Sequence, residues 1–94
     1  MSDAAAAVEV VVYGAPDCSL CSEATAVLRA AAARLGFALQ EVDVTGDARL
    51  EARYREHLPV VEIDGRREFV YHVSPVMLER RIRDAQARRL DAAS

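Results

Sequence analysis

The stretch Val10-Val11-Val12-Tyr13-Gly14-Ala15-Pro16-Asp17-Cys18-Ser19-Leu20-Cys21 decides how the chain is read. A run of β-formers gives way to the loop Gly14-Ala15-Pro16-Asp17, and the chain's two cysteines stand where a helical pattern begins. Upstream, Val8 to Tyr13 is a nearly continuous apolar run, as expected of a central strand covered on both faces. Downstream, Leu20, Ala24, Val27, Leu28, Ala31 and Leu35 recur at helical spacing with Arg29 and Arg34 off that stripe. Gly36 supplies the stop, so a helix is predicted from Ser19 to Leu35. A C-x-x-C pair at such a corner puts one sulfur at a helix N-terminus and the other within disulfide reach one turn on. That placement suits dithiol–disulfide exchange, although metal knuckles use the same spacing.

The remaining punctuation sets the order of elements. Phe37 to Val44 reads as a second strand, and Thr45-Gly46-Asp47 as a turn with helix-start chemistry leading to a short helix from Ala48 to His57. Leu58-Pro59 interrupts it. Val60 to Ile63 and Arg66 to Tyr71 are short strands joined by Asp64-Gly65, a two-residue hairpin signal. Ser74-Pro75 is an N-cap with Pro at the first helical position. The helix it opens carries Leu78, Ile82 and Ala85 on its buried face and Arg80, Arg81, Arg83 and Arg88 toward water. The order β-α-β-α-β-β-α makes the first two strands parallel by the crossover rule and adds an antiparallel hairpin. The fold class is therefore α/β, a four-stranded mixed sheet with three helices on its two faces. Residues 1–7 read as a disordered tail and 8–90 as one domain.

A chain of 94 residues holds one core. Its apolar share of 52% and net charge of −3 are ordinary for a globular protein. The basic residues are interspersed with acidic ones, which argues against a nucleic-acid partner. The N-terminus lacks a basic n-region, and no segment approaches the roughly 18 uninterrupted apolar residues of a membrane span. A cytoplasmic location without membrane attachment is the expectation. In a reducing cytosol a lone cysteine pair is catalytic or metal-binding more readily than a structural staple. A disulfide closing so short a loop would also add little stability.

The thiolate is the attacking species, so exchange depends on lowering one cysteine pKa. Cys18, at the helix start among unpaired N–H groups, is the expected nucleophile, and Cys21, one turn in and more buried, the resolving thiol. Cys18 would attack a client disulfide, Cys21 would displace the client, and a separate reductant would restore the dithiol. Asp17 opposes the thiolate unless it is turned away or engaged in capping, so a modest depression is expected. About forty residues on, Leu58-Pro59-Val60 is brought beside the corner by the hairpin order, with Pro unable to donate to a ladder. A cis bond there would free backbone groups of Leu58 to pair with an extended substrate segment.

The element order, the C-x-x-C at the first helix and the x-Pro-Val step before a terminal hairpin and helix resemble the thioredoxin superfamily. The compact size is similar to glutaredoxins. Val42-Asp43-Val44 followed by Leu50, Tyr54 and Leu58-Pro59-Val60-Val61 looks most like the small bacterial glutaredoxin-like domains. The resemblance runs from Val8 to about Ile82. It implies a thioredoxin-like fold, a cis Pro59, a nucleophilic Cys18, a resolving Cys21 and a disulfide-containing protein or low-molecular-weight thiol as client. No cofactor, no metal and a monomer are the accompanying expectations. Several family features are absent. Ala15-Pro16-Asp17 has no Lys before the first Cys, and Ser19-Leu20 replaces Pro and an aromatic between the cysteines. Phe69-Val70-Tyr71-His72 replaces the Gly-Gly…Asp segment that holds glutathione, which removes the basis for expecting that ligand.

Two other classes use the same residues. A zinc or iron–sulfur protein would bind metal through the two thiols, but only His57 and His72 remain as further soft donors, at no familiar spacing. A non-catalytic adaptor would keep the fold and hold a partner on the hairpin edge. His57 reads as a polar residue at a helix end, with proton acceptance near the sulfurs as the alternative. Tyr13, Tyr54 and Tyr71 read as core aromatics with a wet hydroxyl end. The Arg-rich face of the last helix reads as solvated surface, with steering of an acidic partner as its alternative.

Overall fold

The computed structural model describes residues 7–93. The tail expected over 1–7 lies, apart from Ala7, outside them. The chain runs β1 (Glu9–Gly14), α1 (Ser19–Leu35), β2 (Ala38–Asp43), α2 (Ala48–Tyr54), a 3-10 turn (Arg55–His57), β3 (Val60–Ile63), β4 (Arg66–Val70) and α3 (Pro75–Ala93). The four strands form one mixed sheet in the order β2-β1-β3-β4, with β1 parallel to β2 and the other neighbours antiparallel. This is the α/β architecture read from the sequence.

Alternation along the strands sorts the core into two layers. Val8, Val10 and Val12 of the β1 segment and Val61 and Ile63 of β3 face Leu28 and Ala31 of α1 and Leu78, Ile82 and Ala85 of α3. Tyr13 and Val60, on the opposite face, meet Val44, Leu50, Tyr54 and Leu58 in the α2 layer. Leu28, Ile63, Leu78 and Ile82 are wholly buried, and each such side chain contributes about 1.5–3 kcal/mol by leaving water.

Local chemistry bounds several elements where the sequence indicates. Gly36 adopts a left-handed φ of 83° and donates its N–H to the Ala32 carbonyl at 2.9 Å. Asp47 caps α2 by accepting from the N–H groups of Arg49 and Leu50. Ser74 Oγ accepts from Met77 N–H at 3.3 Å ahead of α3. Asp64 and Gly65 both take positive φ, 49° and 83°, to close the β3–β4 hairpin.

Four expectations are corrected. Strand β2 is shorter than Phe37 to Val44, because its register with β1 runs only from Glu9–Ala38 to Gly14–Asp43. The second helix stops at Tyr54 and tightens into the 3-10 turn before Pro59. Strand β4 ends at Val70, because Tyr71 turns to a left-handed φ of 72°. Arg81 is half-buried and paired with Glu68 at 3.2 Å instead of facing water.

Candidate active site

The loop from Gly14 delivers Cys18 to the N-cap position of α1, with φ −110° and ψ 108°. The Cys18 N–H donates to the Ala15 carbonyl at 3.2 Å, which tightens the loop. Sulfur stands where a Ser or Asp oxygen ordinarily caps a helix, and Cys18 Sγ accepts from the Cys21 N–H at 3.1 Å. No acidic residue occupies the first turn of α1 to neutralise the positive end of its dipole. Cys21 is only 5% exposed, whereas Cys18 is half-buried. The two are joined as a disulfide, with Cα atoms 5.2 Å apart. Asp17 does not cap the helix. Its carboxylate points to Arg55 of the 3-10 turn at 3.5 Å, so the nearest anion to Cys18 along the chain has its own cation.

Strand register brings the second predicted element to the same place. Tyr13 of β1 lies opposite Val60 of β3, so Gly14 and Pro59 are the next positions at that end of the sheet. The Leu58-Pro59 peptide is cis and Pro59 is buried. Leu58 is half-buried against the α2 layer, and the Val60 side chain is wholly buried in it, with its main chain in register between Tyr13 of β1 and Val70 of β4.

Two residues of this corner escape a reading of the sequence alone. Gly14 lies hard against the resolving cysteine: a Cβ there would stand 3.1 Å from Cys21 Cβ and 3.2 Å from its sulfur. The available signal is a lone glycine closing a branched strand immediately before the motif. Tyr71, read as a core aromatic, is 42% exposed. Its N–H donates to the Pro59 carbonyl at 2.8 Å and its phenol to the Glu56 carbonyl at 3.1 Å. The exposed His57 places its ring 6.1 Å from the Tyr71 ring.

The other tyrosines do belong to the core. Tyr13 stacks on Tyr54 at 4.0 Å. The Tyr54 hydroxyl is not wet but donates to Glu62 at 2.9 Å. Burial pushes the Tyr54 phenol well above its ordinary pKa, and Tyr13 and Glu62 push it further, so it is a fixed neutral donor.

An open hollow of about 470 Å³ reaches Cys21 from the β2 side, bounded by Gly14, Pro16, Thr25 and the Arg29–Glu41 ion pair. Pro59 lies on the other side of β1, so this hollow is separate from the sulfur–proline corner. His72 sits on an exposed loop. Among the described residues no three His, Cys, Asp or Glu side chains converge as a metal site, and no helix is long and apolar enough to cross a membrane.

Architecture and sulfur chemistry together place the chain among thiol redox proteins of the thioredoxin fold. The model of the Glutaredoxin-like domain (DUF836) matches residues 9–85, and the chain belongs to that family. Among solved structures, target protein XcR50 from X. campestris is 31% identical, with 80% of this chain and 96% of that one covered and a TM-score of 0.66. Protein Ne2328 from Nitrosomonas europaea is 25% identical over 79% of this chain and 89% of its own, also at a TM-score of 0.66. Thioredoxin from Fasciola hepatica, 21% identical over 85% and 82%, superposes with a TM-score of 0.61 and shares the fold. Among curated proteins none matches this chain.

Proposed function

We propose that this protein is a cytoplasmic, monomeric dithiol–disulfide oxidoreductase that exchanges disulfides with a protein or low-molecular-weight thiol client through Cys18 and Cys21. The observation that carries this reading is the Cys18 sulfur used as a helix cap, with the Cys21 N–H aimed at it from 3.1 Å. A donor and a dipole already placed on that sulfur favour its thiolate over its thiol. The half-buried Cys18 is the sulfur a client reaches first, and Cys21 lies behind it.

In the reduced protein, Cys18 thiolate attacks one sulfur of a client disulfide, and the other client sulfur leaves as a thiolate that takes up a proton. The client is then held on Cys18 through a mixed disulfide while the main chain around Leu58, Pro59 and Val60 aligns its extended segment. Cys21 loses its proton and attacks Cys18 Sγ, so the client's second sulfur leaves. Two electrons have passed to the client, and Cys18 and Cys21 are bonded to each other, the state the structure holds. A separate dithiol, or two monothiols, returns the two electrons.

A Cys21→Ser variant tests this directly. It should accumulate mixed disulfides at Cys18, which mass spectrometry of the captured species identifies. Absence of any captured species, together with a Cys18 thiol ionising at or above the free value of about 8.5, would overturn the assignment.

A further inference from the structure

Resting on the exchange reading above, we infer that Tyr71 is a specificity-determining residue of the site. It favours a cysteine carried on an extended polypeptide with an apolar side chain beside it over a small free disulfide.

The backbone carries the first part of the case. Tyr71 holds a left-handed φ of 72°, a conformation that is unfavourable for a bulky L-residue and costs a glycine almost nothing. Such outliers persist where the surroundings impose them, and they gather at sites of binding and reaction. Position carries the second. Val70 lies opposite Val60, so Tyr71 follows β4 beside Pro59 and donates its N–H to the Pro59 carbonyl. Gly14, Pro59 and Tyr71 thus form a row across β1, β3 and β4 at the sulfur end of the sheet.

The side chain carries the third. It is exposed yet anchored, with the phenol bonded to Glu56 and the ring beside His57. An aromatic fixed at its polar end presents a rigid face to an incoming chain at little further entropic cost. A hollow of about 100 Å³ opens between this residue and α1, bounded by Leu20, Ala24, Val27 and Val73, with Glu23 and His72 at the rim. That is room for about three waters, or for one aliphatic side chain. Leu20, which stands between the two cysteines in sequence, forms one wall of the hollow and Tyr71 another, and neither cysteine lines it. A residue flanking a client cysteine would reach it, whereas a disulfide with no chain attached has nothing to place there.

The test compares kcat/KM for two substrates: an extended peptide whose mixed disulfide sits on a Leu-flanked cysteine, and bis(2-hydroxyethyl) disulfide. In Tyr71→Gly, which removes the ring and relaxes the backbone, the peptide-to-small ratio should fall about ten-fold, through KM more than kcat. Tyr71→Phe keeps the ring and loses only its anchor, so its ratio should fall less. A ratio unchanged in Tyr71→Gly, or a parallel loss for both substrates, would overturn the assignment of Tyr71. A wild-type protein that turns over neither disulfide would instead remove the exchange reading beneath it.

Discussion

Strand β4 begins and ends on left-handed turns, and the two are built differently. At its start the turn is Asp64-Gly65, residue types that accept positive φ. There Asp64 receives two hydrogen bonds from the Arg89 guanidinium of α3 at 2.6 and 2.8 Å and one from the Glu9 N–H at 3.0 Å. At its end the same backbone conformation falls on Tyr71, which is bulky and exposed. The hairpin end is relaxed, satisfied and tied to the last helix. The sulfur end holds a strained aromatic, a disulfide doing the work of a cap and an ion pair stretched to 3.5 Å. Local consistency thus marks the end that holds the fold, and its breach marks the end where chemistry is proposed.

The largest effect that would sharpen this contrast comes from adding one methyl at each end. Gly14→Ala places a Cβ 3.1 Å from Cys21 Cβ and 3.2 Å from its sulfur, closer than ordinary contact allows. Either β1 or the resolving cysteine must shift. Overpacking of this kind should destabilise the oxidised protein by about 1–2 kcal/mol and slow exchange several-fold, read by thermal melting and by disulfide turnover. Gly65→Ala meets no neighbouring atom and suffers only its φ of 83°, so it should cost about 1 kcal/mol and leave exchange unchanged. Equal effects on exchange from both would mean that Gly14 has no special relation to Cys21.

The same contrast explains how much the sequence discloses. Gly36, Asp47, Asp64-Gly65 and Ser74-Pro75 act through backbone groups within a few residues, so their chemistry is visible in the string and sets the element order. The C-x-x-C pair is legible for the same reason, since its spacing is one helical turn. Long-range packing decides the rest. The approach of Gly14 to Cys21 exists only once α1 lies on β1, and Asp17 meets Arg55 across 38 positions. Tyr71 extends an unbroken run of β-formers, and no local signal says that its φ must reverse. Its conformation comes from the Pro59 and Glu56 carbonyls that hold its two ends.

At the hairpin end, Asp64→Asn keeps a residue that tolerates left-handed φ but removes the charge. The Arg89 guanidinium, aided by the Glu9 N–H, holds the Asp64 carboxyl below the usual carboxylate range. Unfolding releases it to an ordinary value near 4. Its folded pKa is depressed, so the stabilisation is present above about pH 4 and is lost as pH falls through the lower folded value. The variant should therefore be less stable by about 1 kcal/mol near neutral pH, and its melting temperature should fall less steeply with acid than the wild type's. Identical acid profiles would show that the clasp contributes nothing through charge.

The smallest effect is electrostatic and belongs to the sulfur end. Asp17 precedes Cys18, and its carboxylate opposes a thiolate there, while Arg55 stands 3.5 Å from that carboxylate and offsets it. Both side chains are well exposed, so solvent and salt weaken what they do. Titrating thiolate absorbance in the reduced protein at low ionic strength isolates the term. Arg55→Gln should move Cys18 ionisation to higher pH, and Asp17→Asn should move it lower. If Arg55 acts by holding Asp17, the shift caused by Arg55→Gln should shrink in an Asp17→Asn background. A shift of equal size in both backgrounds would mean that the guanidinium acts on the sulfur directly. No shift in either would leave the Cys18 thiolate to the helix end and the Cys21 N–H alone.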